Sequence, residues 1–181
     1  LCFCALSGDT VTINDTLTSQ VIHMLPSYCT SKATYTSIID IENFKYGMLD
    51  NTSASGSQTY TDYTSLTPVS YLIGTPYQMS ITQQPQGSYV YTAAFEVYID
   101  LDKDGVFDKA TESVFNGLTN SSAQTVSAPV TLPSTALTGL TRLRVVMQYG
   151  SNISTVSPCG TYTYGETEDY TVNIFNPAAP T

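Results

Sequence analysis

The sequence predicts an all-β protein, a β-sandwich of about eight to ten strands with Greek-key or jelly-roll-like connections. Three observations carry this expectation. Apolar residues alternate with period two over short runs, clusters of turn residues separate those runs, and no segment keeps a helical apolar stripe for three turns. Composition agrees. Of 181 residues only 12% are charged, Tyr is abundant at 14 and Trp is absent. Ser and Thr together make up roughly a quarter of the chain, well above common usage. So few charges exclude a long charge-laced helix or coiled coil.

Each element follows from its own pattern. In Ala93–Ile99, Phe95, Val97 and Ile99 share one face. Thr125–Leu132 does the same with Val126, Ala128, Val130 and Leu132. Leu143, Val145 and Met147 face one way from their strand, with Arg142 and Arg144 opposite. Tyr170, Val172 and Ile174 repeat the theme near the C-terminus. Further candidate strands are Thr10–Ile13, Gln20–Met24, Ser37–Ile41, Gln58–Thr61, Tyr71–Ile73 and Tyr77–Thr82. Turn clusters are expected at Asn51–Ser57, Gln84–Gly87 and Asn116–Ser122.

The organisation reads as four parts. Residues 1–7 read equally well as the end of a secretory signal peptide or as an apolar mature N-terminus. Residues 8–25 are either a first strand of the sandwich or an arm that adds a strand to a neighbouring subunit. Residues 26–175 form the sandwich, and 176–181 a short tail.

Six Lys and Arg against 15 Asp and Glu leave a formal net charge of −9, which argues against nucleic-acid binding. Hydrophobic content of 41% argues against disorder. No apolar stretch approaches the ~18 residues that would mark a transmembrane segment. Cys2 and Cys4 are too close in sequence to bridge each other comfortably, so their pairing stays open. That leaves Cys29 and Cys159, for which a long-range disulfide is expected in an oxidising compartment. The single histidine, His23, lies in an apolar run and reads as structural or surface-placed, not as a catalytic base.

The strongest chemical motif is Asp100-Leu101-Asp102-Lys103-Asp104-Gly105-Val106-Phe107-Asp108, followed by Glu112. Alternate carboxylates on a tight loop suit Ca²⁺, which takes six to eight hard oxygens. Asp100, Asp102 and Asp104 offer side-chain oxygens, Val106 its carbonyl, Asp108 a direct or water-mediated oxygen, and Glu112 closes the shell. Thr111 stands where an EF-hand has its twelfth-position Glu, and the loop follows a strand. Both facts point to a structural calcium loop instead of a helix-opening sensor. A solvated acidic turn is the alternative, but its crowded carboxylates would repel one another in a chain poor in Lys and Arg.

A second cluster is Cys159-Gly160-Thr161-Tyr162-Thr163-Tyr164-Gly165-Glu166-Thr167-Glu168-Asp169-Tyr170. With the acidic loop, Tyr28-Cys29, Tyr60-Thr61-Asp62-Tyr63, Val97–Asp100 and Gly139–Arg144, it resembles the GEVED domain, Thr167 replacing the name-giving valine. The resemblance runs from about Tyr28 to Ile174. It implies a secreted bacterial β-sandwich module of the kind found in Bacteroidetes-type surface proteins, adhesins and the non-catalytic parts of extracellular peptidases. It also strengthens the Cys29–Cys159 pairing. Glu166, Glu168 and Asp169 either share the calcium shell or pair with Arg142 and Arg144; arginine pairing is preferred for Glu168, and Glu166 is left open. Asp9-Thr10-Val11 and Asp15-Thr16-Leu17 resemble bacterial O-glycosylation sites at Thr10 and Thr16.

These features lead to a non-enzymatic function: there is no nucleophile elbow, no metal-ligand triad and one histidine. Two readings lead. The chain is a calcium-stabilised structural or adhesion module of a bacterial surface with a glycan or protein ligand, or a filament subunit that polymerises through residues 8–25. An accessory, substrate- or glycan-binding domain of a secreted hydrolase such as a metallopeptidase ranks third. All three place it outside the cell.

Overall fold

The computed structural model describes residues 26–53 and 58–176. The expectations for residues 1–25 lie outside the described residues: the leader, the arm and its two strands, Cys2, Cys4, His23, Thr10 and Thr16. So does the tail beyond Asn176.

In chain order the strands are β1 (Ser31–Tyr35), β2 (Ile41–Tyr46), β3 (Leu49–Thr52), β4 (Tyr60–Tyr63), β5 (Val69–Leu72), β6 (Pro76–Gln83) and β7 (Ala93–Ile99). A one-turn helix α1 (Lys109–Glu112) then precedes β8 (Ser113–Thr119), β9 (Thr125–Thr131), β10 (Gly139–Tyr149) and β11 (Gly160–Phe175). They form two packed sheets, a β-sandwich as expected. The first runs β1-β11-β10-β7-β8, with β4 and β5 also on β11; the second runs β3-β2-β6-β9.

β11 organises the first sheet. Along one edge it pairs antiparallel with β10 from Gly165 to Ile174. Three short strands pair parallel with it in succession, β1 at 160–164, β4 at 167–170 and β5 at 172–175. Three short partners thus satisfy the backbone of one 16-residue strand that would otherwise present a long open edge.

Several expectations shift, each for a physical reason. Of the expected strand Ser37–Ile41 only Ile41 lies in one, as the first residue of β2; over 37–40 the chain crosses from the first sheet to the second, and Ile39 is buried there. β2 escaped notice because a register shift between Ile41 and Asn43 interrupts its alternation. The expected turn at Asn116–Ser122 begins only at Asn120, since Gly117 lies inside β8. A Cβ on Gly117 would come 2.9 Å from the Phe95 ring, so this glycine admits an aromatic instead of making a turn.

The main core lies between the sheets and includes Phe44, Tyr46, Met79, Ile81, Phe95, Val97, Val145 and Tyr170. A second, smaller cluster covers the outer face of the first sheet: Ala94, Tyr98, Phe107, Val146 and Val156, with Tyr28 and Ile153 against it. β7 is therefore buried on both faces. Phe107 anchors the acidic loop to this outer cluster, where it stacks on Tyr28 with ring centroids 5.1 Å apart.

Candidate metal centre

The acidic loop leaves the end of β7 and folds back on itself through its own carboxylates. Asp102 Oδ1 accepts from Asp104 N at 3.2 Å, and Asp104 Oδ1 accepts from Val106 N at 2.7 Å. Asp108 caps α1 by accepting from Ala110 N at 2.7 Å. Gly105, at φ +86, is required twice over. Its backbone is left-handed, and a Cβ would meet Pro26 at 2.6 Å, where the incoming chain lies across the loop.

Helix α1 then returns Glu112 to the start of the loop. Its Oε1 accepts from Leu101 N at 2.7 Å and its Oε2 from Asp108 N at 2.9 Å. One carboxylate oxygen each from Asp100, Asp102 and Glu112 lie within 4.8 Å of one another. Asp100 is fully buried; Oδ2 accepts from Tyr28 OH at 2.6 Å and from Gly105 N at 3.1 Å, whereas Oδ1 has no partner. Burial pushes the Glu112 carboxyl above its ordinary range, against the pull of hydrogen bonds from the Asp108 and Leu101 backbone, and the charge of Asp100 adds to the rise. The Tyr28 phenol is raised by burial and by its bond to Asp100.

Of the six residues expected around a cation, the fold thus gathers Asp100, Asp102 and Glu112. Asp104 and Asp108 turn an oxygen toward loop N–H groups and are not part of that group. Val106 gives its N–H to Asp104 and exposes its side chain. An all-oxygen donor set with a buried, unpartnered carboxylate oxygen fits a hard divalent cation such as Ca²⁺. It does not fit zinc, which favours His and Cys.

The acids of β11 divide between the two faces of the strand. Asp169 points to the outer face, opposite Arg144 in the register. Its Oδ1 accepts from Arg144 Nε at 2.7 Å, and its Oδ2 from Arg144 Nη2 at 2.7 Å, Arg142 Nη1 at 2.9 Å and Tyr60 OH at 3.1 Å. Arg144 Nη1 also donates to the carbonyls of Cys29 at 2.9 Å and Pro158 at 2.7 Å. It thereby holds both ends of the Cys29–Cys159 disulfide, whose Cα atoms are 5.6 Å apart. Arg142 lies over the Tyr28 ring at 4.8 Å, which links this cluster to the acidic loop.

Glu168, expected as the arginine partner, takes the other direction. Period-two geometry puts it one residue out of phase with Asp169, on the face that packs against the second sheet. There it accepts from Ser53 Oγ and from Tyr170 OH, the latter at 2.7 Å. Glu166 shares that face and accepts from Ile41 N at 3.0 Å and Thr61 Oγ1 at 3.2 Å. Burial raises the pKa of both carboxyls. For Glu166 a hydrogen bond with Asp40 adds to the rise; for Glu168 the bonds from Ser53 and Tyr170 oppose it. Among the described residues, the group of carboxylates placed to hold a metal is that of the loop, and Glu166 and Glu168 are not in it.

Sequence reasoning did not assign the roles of Tyr28, Tyr60, Thr61, Ser53 and Asp40. The first three stand in segments that carry the family resemblance, which was the available signal. Ser53 and Asp40 had none, because only the packing of the second sheet brings them to β11. No curated protein matches the chain. Residues 94–173, from the second residue of β7 almost to the end of β11 and including the acidic loop and the acid-bearing strand, match the GEVED domain family.

Proposed function

We propose that the chain is a non-catalytic, calcium-stabilised structural or adhesion module of an extracellular or cell-surface protein. The observation that carries this reading is the buried Asp100 carboxylate, whose Oδ1 has no partner beside the oxygens of Asp102 and Glu112. Three carboxylates this close repel one another, and a cation among them relieves that repulsion. Calcium supplies that neutralisation and tolerates an irregular shell completed by water. This chain's own part is to hold the loop: Tyr28 donates to Asp100, Gly105 lets Pro26 cross, and Glu112 ties the start of the loop to α1.

Support for a non-catalytic role comes from the other acids, since Asp169, Glu166 and Glu168 are engaged in ion pairs and hydrogen bonds that join strands. A disulfide spanning 130 residues supports an oxidising compartment. Among the described residues no helix is long and apolar enough to cross a membrane.

Terbium luminescence tests the reading directly. Tb³⁺ substitutes for Ca²⁺ and is sensitised by a nearby phenol; Tyr28 lies 2.6 Å from Asp100, and the chain has no Trp to interfere. Tyrosine-excited terbium emission that calcium displaces is expected, lost in Asp100→Asn and weakened in Tyr28→Phe. A chelator is expected to lower Tm by roughly 5 °C or more. Absence of emission together with an unchanged melting curve in chelator would sink the calcium reading.

A further inference from the structure

At the end of the first sheet opposite the acidic loop, three neighbouring strands and the segment leading into a fourth contribute tyrosine. Tyr35 closes β1, Tyr164 is its register partner on β11, Tyr149 closes β10, and Tyr91 and Tyr89 lie just before β7. In the sheet these strands are consecutive neighbours, so the rings follow one another across its end. Successive centroids are 5.5 Å apart from Tyr35 to Tyr164, 6.4 Å to Tyr149, 6.3 Å to Tyr91 and 6.4 Å to Tyr89. The three steps from Tyr35 to Tyr91 each pass from one strand position to the next across the sheet, somewhat wider than the ~4.8 Å between neighbouring backbones. The last, to Tyr89, runs along the segment before β7. Four of the rings are exposed, Tyr89 at 70%, Tyr35 at 54%, Tyr149 at 53% and Tyr91 at 38%, and Tyr164 is half-buried among them.

Beside this row opens a cavity of about 360 Å³, lined by Gln148, Tyr149, Thr155, Tyr162, Thr163 and Tyr164. Its walls offer phenol rings, hydroxyls and one amide. No charged side chain lines it. In a chain with a net charge of −9, an uncharged aromatic strip is a selective feature.

We propose that this strip binds a neutral polysaccharide, laid across the strand ends with sugar rings against the tyrosines. The class follows from the surface. A pyranose has an apolar C–H face that stacks on an aromatic ring and a rim of hydroxyls that pairs with phenols, threonines and an amide. Tyrosines supply such contacts at small conformational-entropy cost. The lack of charge gives no purchase to acidic or basic ligands. A single row of five rings suits a linear chain, whereas a stable protein interface engages about 20–30 residues on each side. The inference rests on the reading of the chain as a surface module but not on calcium, since the acidic loop lies at the other end of β7, roughly 20 Å away at about 3.3 Å per residue.

Native affinity electrophoresis tests it, with mannan, mixed-linkage β-glucan and xyloglucan in separate gels and polygalacturonate as the acidic counterpart. Retardation by at least one neutral polymer is expected, in calcium and in chelator alike. Tyr149→Ala/Tyr164→Ala should weaken it by about tenfold, with an unchanged circular-dichroism melt. Should the double variant fail to fold, Tyr89→Ala and Tyr35→Ala, at exposed positions, should each weaken binding measurably. No retardation by any neutral polymer overturns the proposal. So does full affinity in folded variants, or binding to polygalacturonate alone. A protein that responds to calcium yet ignores all neutral polymers loses this site and keeps the calcium reading.

Discussion

Gly165 shows how one residue can bind a motif to a fold. It stands at φ +144 in β11, and any Cβ there would collide with the Met147 carbonyl and lie 2.8 Å from the Tyr162 ring. Gly165→Ala is therefore expected to cost about 2–4 kcal/mol, read as a fall in urea midpoint; an unchanged midpoint would show that the strands can separate freely. Next to it, Glu166 carries a pH signature. Its folded-state pKa is raised, so the folded protein holds a proton there that the unfolded chain gives up above about 4.3. Its contribution to stability is full below that value and declines as pH rises toward the raised folded value. Glu166→Gln cannot ionise and keeps an acceptor for Ile41 N. The variant should gain Tm over the parent at pH 8 relative to pH 5, and an equal difference at both pH values would count against a protonated Glu166.

At the scale of elements, the alternation of β11 decides which acid does what. Opposite Arg144 in the register stands Asp169, two arginines share its carboxylate, and the cluster is nearly dry. Removing one partner leaves a buried charge unmatched. Asp169→Asn is expected to destabilise by about 3–5 kcal/mol in chemical denaturation. Arg144→Met combined with Asp169→Leu should recover part of that loss, because an apolar pair carries no desolvation cost. A double variant as damaged as the single one would assign the effect to lost contacts with the Cys29 and Pro158 carbonyls. The alternation of strands such as β7, β9 and β10 was legible because each keeps period two without interruption. β2 was not, since a bulge breaks its phase. β8 was not, since Gly117 imitates a turn while serving Phe95.

For the whole molecule, ties between distant parts of the chain hold the arginine cluster and the disulfide together. Cys29 and Cys159 close 130 residues of chain, and Arg144 holds the carbonyls beside both. Replacing both cysteines with serine should lower stability by about 5 kcal/mol in the chain-entropy account. The same fold should survive, since both sheets keep their hydrogen bonds; loss of cooperative unfolding would instead make the bridge a condition of folding. The net charge of −9 is also a whole-molecule property with local meaning. Asp100, Asp102 and Glu112 gather at one loop, while Glu166, Glu168 and Asp169 lie inside the protein.

The sequence by itself determined the sandwich, the acidic loop, the Cys29–Cys159 bridge and the family resemblance. These rest on local patterns: period two, carboxylate spacing, cysteine elimination and short motifs in a set order. Only the tertiary structure decided that Asp169 and not Glu168 meets the arginines, that Asp104 and Asp108 stay with the loop backbone, and that five tyrosines form one row. Those outcomes depend on register and on which strands become neighbours, and a linear sequence carries neither until the sheets pair.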